Sequence, residues 1–116
     1  MTRKYTDMLP EGWSPSDEDE KVSLTMEFRT ELPPGHLLAN IPVDIIAHRC
    51  GTDDILCQHV DDPDRFTVVH LSWVMKQEWS PDFPYVEVDG TFDDFLEYER
   101  GFLEIHVSQQ VDREKR

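Results

Sequence analysis

Apolar and polar residues alternate with two different periods along this chain, and the change of period separates helices from strands. Residues 21–32 place apolar side chains at a spacing of four, at Leu24, Phe28 and Leu32, which predicts one face of a helix. Ser16 and the acidic residues after it are typical of a helix N-terminus, and the Pro-Pro-Gly after residue 32 would end the element. The first eight residues of the segment also alternate apolar with polar, so a strand is the alternative; we choose the helix.

The middle of the chain has the pattern of β-strands. Gly-Thr-Asp-Asp separates the first predicted strand from the second, and Asp-Asp-Pro-Asp lies between the second and the third. Both are turn sequences, and they predict an antiparallel meander. The third segment is apolar on both faces, so we expect it inside the sheet. The four predicted strands are residues 43–50, 55–60, 66–75 and 85–88.

A second helix is predicted after the fourth strand. Thr91 is the candidate N-cap, Asp93 and Asp94 suit the first turn, and Gly101 suits the end of the helix. Residues 102–108 alternate apolar with polar, so they form either a further strand or a continuation of this helix. The pattern therefore predicts an α+β fold, with an antiparallel β meander of about four strands packed against an N-terminal and a C-terminal helix.

Composition divides the chain into three parts. Residues 1–20 are rich in proline and acidic residues and are expected to form a partly flexible arm, which Trp13 would attach to the body. Residues 21–111 fit one domain. Residues 112–116 are all charged and are expected to be a frayed tail.

The net charge of −14, from 25 acidic and 11 basic side chains, narrows the classes of partner. It disfavours nucleic acid and anionic membranes, which both need basic side chains, and it favours a basic protein partner. The first 13 residues have no apolar run, which predicts no signal peptide, and no segment approaches the about 20 apolar residues of a membrane helix. Two cysteines without an export signal predict reduced thiols and a cytoplasmic protein.

Several short motifs in the middle of the chain occur together. They are Pro34-Gly35-His36-Leu37-Leu38, Ile46-Ala47-His48-Arg49, Asp53-Asp54-Ile55-Leu56, Val68-Val69-His70-Leu71-Ser72-Trp73, Lys76, Glu78 and Phe83-Pro84. Over residues 24–97 the chain resembles a family of small bacterial proteins of unknown function with a Pro-Gly-His turn, an Asp-Asp hairpin and a His-Leu-Ser/Thr-Trp strand. The resemblance implies a helix, a meander and a second helix, but no known activity, cofactor or catalytic residue. Cys50 and Cys57 depart from it, since plain apolar residues are expected there.

The first candidate site is the hairpin that carries both cysteines. If Thr52 and Asp53 form a two-residue turn, two thiols and two imidazoles share one face of the hairpin, and such ligands suit zinc. The spacing matches no zinc motif, and buried cysteine is common in cores, so we predict no metal and no cofactor. The residues of this weak metal candidate are His48, Cys50, Cys57 and His59.

The second candidate site lies at and beyond the third strand. His70 and Ser72 share a face, but no nucleophile elbow surrounds the serine, so no catalytic residue is assigned. A binding role with a tryptophan anchor fits better. His36 is added because loop residues carry function more often than core residues. The candidate binding residues are His36, His70, Trp73, Lys76, Glu78 and Trp79.

These observations predict an acidic, non-catalytic protein-binding module of the immunity, antitoxin or adaptor kind. The alternative is a metal-dependent protein or small enzyme that uses His70 or the cysteine hairpin. The expected partner is a protein, of basic character, and neither nucleic acid nor a membrane is expected. Homodimerisation by strand addition at an open sheet edge is a further option.

Overall fold

The computed structural model describes residues 5–101, which form one sheet with a helix on each face. A 3₁₀ turn at Tyr5–Met8 precedes the sheet. The strands are β1 (Trp13–Pro15), β2 (Val43–Arg49), β3 (Asp54–His59), β4 (Phe66–His70) and β5 (Tyr85–Gly90). The helices are α1 (Glu18–Glu31) and α2 (residues 92–101). Among the described residues, neither helix combines the length and the apolar character needed to cross a bilayer.

The sheet confirms the predicted α+β class and the antiparallel meander. All neighbouring strands pair antiparallel in the order β1-β2-β3-β4-β5. Two details differ from the prediction. Within residues 5–101 the sheet has five strands, against about four predicted, because β1 forms within residues 1–20. Strand β4 ends at His70 instead of reaching Met75, because the backbone turns into a left-handed conformation at Trp73 and again at Met75.

Helix α1 confirms the helical interpretation of residues 21–32 and begins three residues earlier. Its N-cap is Asp17, not Ser16: the Asp17 carboxylate accepts a hydrogen bond from the Glu20 amide at 2.8 Å, and the Glu20 carboxylate accepts one from the Asp17 amide at 3.3 Å. The helix covers one face of the sheet. The buried core there consists of Phe28, Leu38, Ile45, Ile55, Cys57, Val69 and Leu71.

Helix α2 covers the opposite face. Thr91 caps it as predicted, since its hydroxyl accepts a hydrogen bond from the Asp94 amide at 3.1 Å, and Asp94 accepts one from the Thr91 amide. Gly101, the last described residue, is still helical, which agrees with the alternative that the helix continues through this glycine. Residues 102–108 and the tail 112–116 lie outside the described residues. The buried core on this face consists of Trp13, Ile46, Ala47, Leu56, Phe66, Val68, Phe92 and Phe95.

Residues 5–15 pack against this second core. Strand β1 pairs with the end of β2, and the Trp13 indole is buried edge-on against Phe95. The ring of Tyr5 contacts Phe66 and Phe92 at centroid distances of 4.7 and 4.8 Å. The pairing of β1 and the side chains of Trp13 and Tyr5 thus join residues 5–15 to the sheet.

Candidate functional site

The register of the β2–β3 hairpin differs from the one that the sequence suggested. His48 lies opposite Ile55, and Cys57 lies opposite Ile45, with a register shift between Ile45 and Ala47. The connection between the two strands has four residues, not two, and Gly51 adopts a positive φ of 81° within it. A two-residue turn was therefore the wrong basis for expecting the two thiols and the two imidazoles on one face of the hairpin.

The four residues of the cysteine hairpin are not brought together. Cys57 is buried in the core beneath α1, whereas Cys50 is exposed and contacts the Ser14 hydroxyl at 3.2 Å. His48 forms an ion pair with Glu20 at 3.3 Å. The imidazole of His59 is buried, and its Nε2 is 2.8 Å from the Thr67 hydroxyl. Each residue has a separate local role, so the weak zinc candidate is not assembled.

The segment between β4 and β5, residues 71–84, displays large apolar side chains to solvent, and we call it the aromatic loop. Trp79 is 95% exposed and Met75 is 77% exposed. Trp73 and Phe83 are also exposed, and both are aromatic. Loops with few apolar contacts normally carry polar side chains, so this composition marks a surface that is suited to contact another molecule.

Two glutamates of α1 hold the beginning of the aromatic loop. The carboxylate of Glu31 accepts backbone hydrogen bonds from Ser72 at 3.0 Å and from Trp73 at 2.8 Å. The carboxylate of Glu27 accepts one from the Met75 amide at 3.1 Å. Burial, together with a hydrogen bond to Glu27, raises the pKa of Glu31 to about 7, although the Ser72 and Trp73 amides favour the ionised form.

The backbone of the aromatic loop is strained at two of these anchored positions. Trp73 has a φ of 54° and Met75 a φ of 62°, which side chains of this size rarely adopt. Such a conformation costs about 1–3 kcal/mol per residue and persists only where the surroundings impose it. The glutamate contacts supply that restraint, so the exposed side chains of Trp73 and Met75 are presented by a fixed backbone.

His36 fixes the C-terminal end of the aromatic loop, at Pro84. Its side chain is buried, with Nε2 donating to the Pro84 carbonyl at 2.7 Å and Nδ1 accepting from the Leu38 amide at 3.0 Å. Both ring nitrogens are therefore used in holding two backbone segments together. The structure places this sequence-predicted binding residue in a supporting position, not on the surface.

The remaining sequence-predicted binding residues lie on or next to the aromatic loop. Trp73, Lys76 and Trp79 are exposed, and Glu78 is partly buried and ties its amide to the Glu31 carbonyl at 2.9 Å. His70 is the last residue of β4, immediately before the loop. The structure thus groups five of the six candidates along one stretch of chain.

An acidic cleft of about 370 Å³ lies beside Trp73, between the N-terminal half of α1 and the β2–β3 hairpin. Carboxylates line both of its sides, with Asp19 and Glu20 on the helix and Asp53 and Asp54 at the hairpin. His48 also lines it. Aromatic and anionic groups side by side form an environment that suits a lysine or arginine side chain.

A buried charged cluster lies on the α2 face of the sheet, and we call it the Arg49 cluster. The Arg49 guanidinium donates to Asp54 at 2.6 Å, contacts Glu99 through its other terminal nitrogen, and lies 3.8 Å from Glu87. Glu99 also accepts the indole N–H of Trp13 at 2.8 Å. The cluster therefore joins β1, β2, β3, β5 and α2.

The edge of this cluster reaches solvent at His70. Its Nδ1 lies 2.9 Å from the Asp54 carboxylate, and its side chain is half exposed. Burial raises the pKa of Glu87 to about 7, with Asp54 adding to the effect. Burial also opposes ionisation of Asp54, but hydrogen bonds to Glu87, His70 and Thr52 and the charge of Arg49 hold its pKa below the usual value.

Sequence reasoning missed the paired anchors Glu27 and Glu31 and the whole Arg49 cluster. Two acids four residues apart near the C-terminal end of α1 are a weak signal, because that end of a helix disfavours negative charge. Residues of the Arg49 cluster come from five separate elements, so no local spacing could have grouped them. No family model matches the chain, and no curated protein or solved structure shows significant similarity to it.

Proposed function

We propose that this protein is a cytoplasmic, non-catalytic binding module that docks onto a basic protein partner through the aromatic loop and the neighbouring acidic cleft. It would act as an adaptor or as an inhibitor of the immunity or antitoxin kind. The observation that carries the proposal is the exposure of Trp79, Met75, Trp73 and Phe83 on a backbone held by buried glutamates.

The aromatic side chains supply the affinity in this proposal. Tryptophan and arginine dominate the binding energy of protein interfaces, and truncation of one central anchor commonly costs 2 kcal/mol or more. Because Glu31 and Glu27 already fix the backbone at Trp73 and Met75, little conformational entropy remains to be lost there on binding. A loop of this composition would be costly to display without a partner that covers it.

The acidic cleft accounts for the preference for a basic partner in this proposal. It places Asp19, Glu20 and Asp53 next to the exposed indole of Trp73, in a chain whose net charge is −14. A partner lysine or arginine would meet carboxylates and an aromatic face together, which is a favourable combination for a cation. The surrounding negative field would also speed encounter with a basic partner.

Capture of partners by the immobilised full-length chain, at low and at high salt, tests the electrostatic part. The binding of the captured protein is then measured for the wild type and for Asp53→Asn, with Asp61→Asn as the matched control. Asp61 lies in the β3–β4 turn, so both variants remove one charge but only the first alters the cleft.

We expect the captured protein to be basic, its affinity to fall as salt rises, and Asp53→Asn to weaken binding by about fivefold, equivalent to about 1 kcal/mol. Asp61→Asn should change the affinity by less than about twofold. Binding that ignores salt, or equal losses in the two variants, would contradict a role for the cleft. Failure to capture any partner would contradict the proposed function.

A further inference from the structure

The Arg49 cluster holds more buried negative charge than positive charge. Three carboxyl groups, those of Asp54, Glu87 and Glu99, surround one guanidinium. Buried charges are costly unless they are compensated, and one guanidinium does not compensate three carboxyl groups when all of them are ionised. Among the described residues, His70 also contacts the cluster, through Asp54.

One oxygen of the cluster has no hydrogen-bond donor within the described residues. The Oε1 atom of Glu87 accepts a hydrogen bond from the Tyr98 hydroxyl at 2.8 Å, but no N–H or O–H donor serves its buried Oε2 atom, and the contact between Glu87 and the Asp54 carboxyl requires a proton held between the two groups. The side chain of Glu87 is only 10% exposed, so water does not readily compensate it. An orphaned carboxylate oxygen in such a place calls for a ligand.

The orphaned oxygen belongs to a group with the geometry of metal ligands. Asp54, His70 and Glu87 each offer a ligand atom, and these three atoms all lie within 4.8 Å of one another. Ligands at about 2.0–2.1 Å from a tetrahedral ion are separated by about 3.3 Å, so small side-chain movements suffice to close the site. The half-exposed side chain of His70 leaves a path from solvent to the site.

We propose that Asp54, His70 and Glu87 form a binding site for a divalent transition-metal ion of the zinc class. This site does not depend on the proposed partner, although its ligand Asp54 also lines the acidic cleft. Imidazole with two carboxylates suits zinc and its neighbours better than calcium or magnesium, which prefer oxygen ligands alone. Two positive charges would balance the excess of carboxylates.

Arg49 and Thr52 would support the site from outside. Both donate to Oδ2 of Asp54, at 2.6 and 2.9 Å, whereas Oδ1 of Asp54 faces His70. One carboxylate oxygen thus remains held by the protein while the other is directed towards the ion. Hydrogen bonds of this kind orient a metal ligand and are themselves worth about 10- to 100-fold in affinity.

Titration calorimetry with zinc chloride on the metal-free full chain tests this site. The exposed thiol of Cys50 could bind zinc by itself, so all measurements use the Cys50→Ser background. His70→Gln removes the proposed histidine ligand, and His48→Gln is the matched control because it removes a histidine outside the group. Visible absorption after cobalt addition reports the coordination number directly.

We expect one zinc ion per chain, a tetrahedral cobalt spectrum, and a loss of about 100-fold or more in affinity for His70→Gln. His48→Gln should bind as the background does. The thermal midpoint of the background should also rise with added zinc, a readout that requires no variant at the site. No zinc uptake by the background, or uptake unchanged in His70→Gln, would overturn the proposal.

Discussion

The imidazole Nε2 of His36 lies 2.7 Å from the carbonyl oxygen of Pro84, across 48 residues of sequence. This contact joins the turn after α1 to the last residue of the aromatic loop. On the other side of the same loop, the Glu31 carboxylate holds Ser72 and Trp73. The exposed aromatic side chains are therefore presented between two buried polar anchors.

Replacement of His36 by alanine should destabilise the fold by about 2–3 kcal/mol, because it leaves the Pro84 carbonyl and the Leu38 amide buried without partners. Urea denaturation measures the change. His48→Ala is the control, since His48 is partly exposed and its ion pair with Glu20 lies at the surface, and we expect this change to cost less than about 1 kcal/mol. Equal costs for the two variants would show that the His36 contacts are not structural anchors.

Glu31 should make stability depend on pH in a defined direction. Its pKa rises from 4.5 to about 7 in the folded chain, so the native state binds this proton more tightly than the unfolded state. The stabilisation is complete below about pH 4.5 and is lost as pH rises through about 7. Glu31→Gln cannot titrate, so the wild-type advantage over it should shrink by about 1–2 kcal/mol between about pH 5 and about pH 8.

Urea denaturation of both proteins across that pH range gives the comparison. Glu97→Gln is the matched control, since Glu97 lies on the exposed surface of α2 and forms an exposed ion pair with Arg100. Its difference from wild type should stay constant within about 0.5 kcal/mol. A difference between wild type and Glu31→Gln that stays constant, or grows with pH, would contradict the assigned burial and sharing of a proton with Glu27.

The two cysteines should differ sharply in reactivity. Burial raises the pKa of the Cys57 thiol far above its usual range, and the side chain lies in the core beneath α1, whereas Cys50 is exposed. A colorimetric thiol assay on the native protein should therefore titrate one thiol quickly, and the second should react only in denaturant. Cys50→Ser should abolish the fast phase; a fast phase that survives in this variant would contradict the placement of Cys57.

The sequence predicted those helices and strands whose formation depends on residues close together in the chain. The capped starts of α1 and α2 depend on residues within one turn, and the alternating segments of the meander depend on their own side chains. Strand β1 was missed because its three residues gain their strand character from pairing with β2 and from burial of Trp13. The intrinsic strand propensity of single residues does not include the effect of pairing with a distant strand.

The features that define the candidate sites are long-range. The hairpin register follows from a four-residue turn and a shift at Ile45, which composition does not specify. The early end of β4 follows from hydrogen bonds between Glu31 and the amides of Ser72 and Trp73, about forty residues away. Tryptophan and charged residues in residues 70–79 were still enough to indicate the surface on which the proposed function rests.

The most direct test of that function is the affinity of the captured partner for Trp79→Ala. Trp79 is 95% exposed, so its removal leaves the fold intact, and Val60→Ala is the control because Val60 is an exposed apolar residue of the β3–β4 turn. If the aromatic loop is the docking surface, Trp79→Ala should weaken binding by about 30-fold, equivalent to about 2 kcal/mol, and Val60→Ala by less than about twofold. An affinity unchanged in Trp79→Ala, or lost equally in Val60→Ala, would contradict the account.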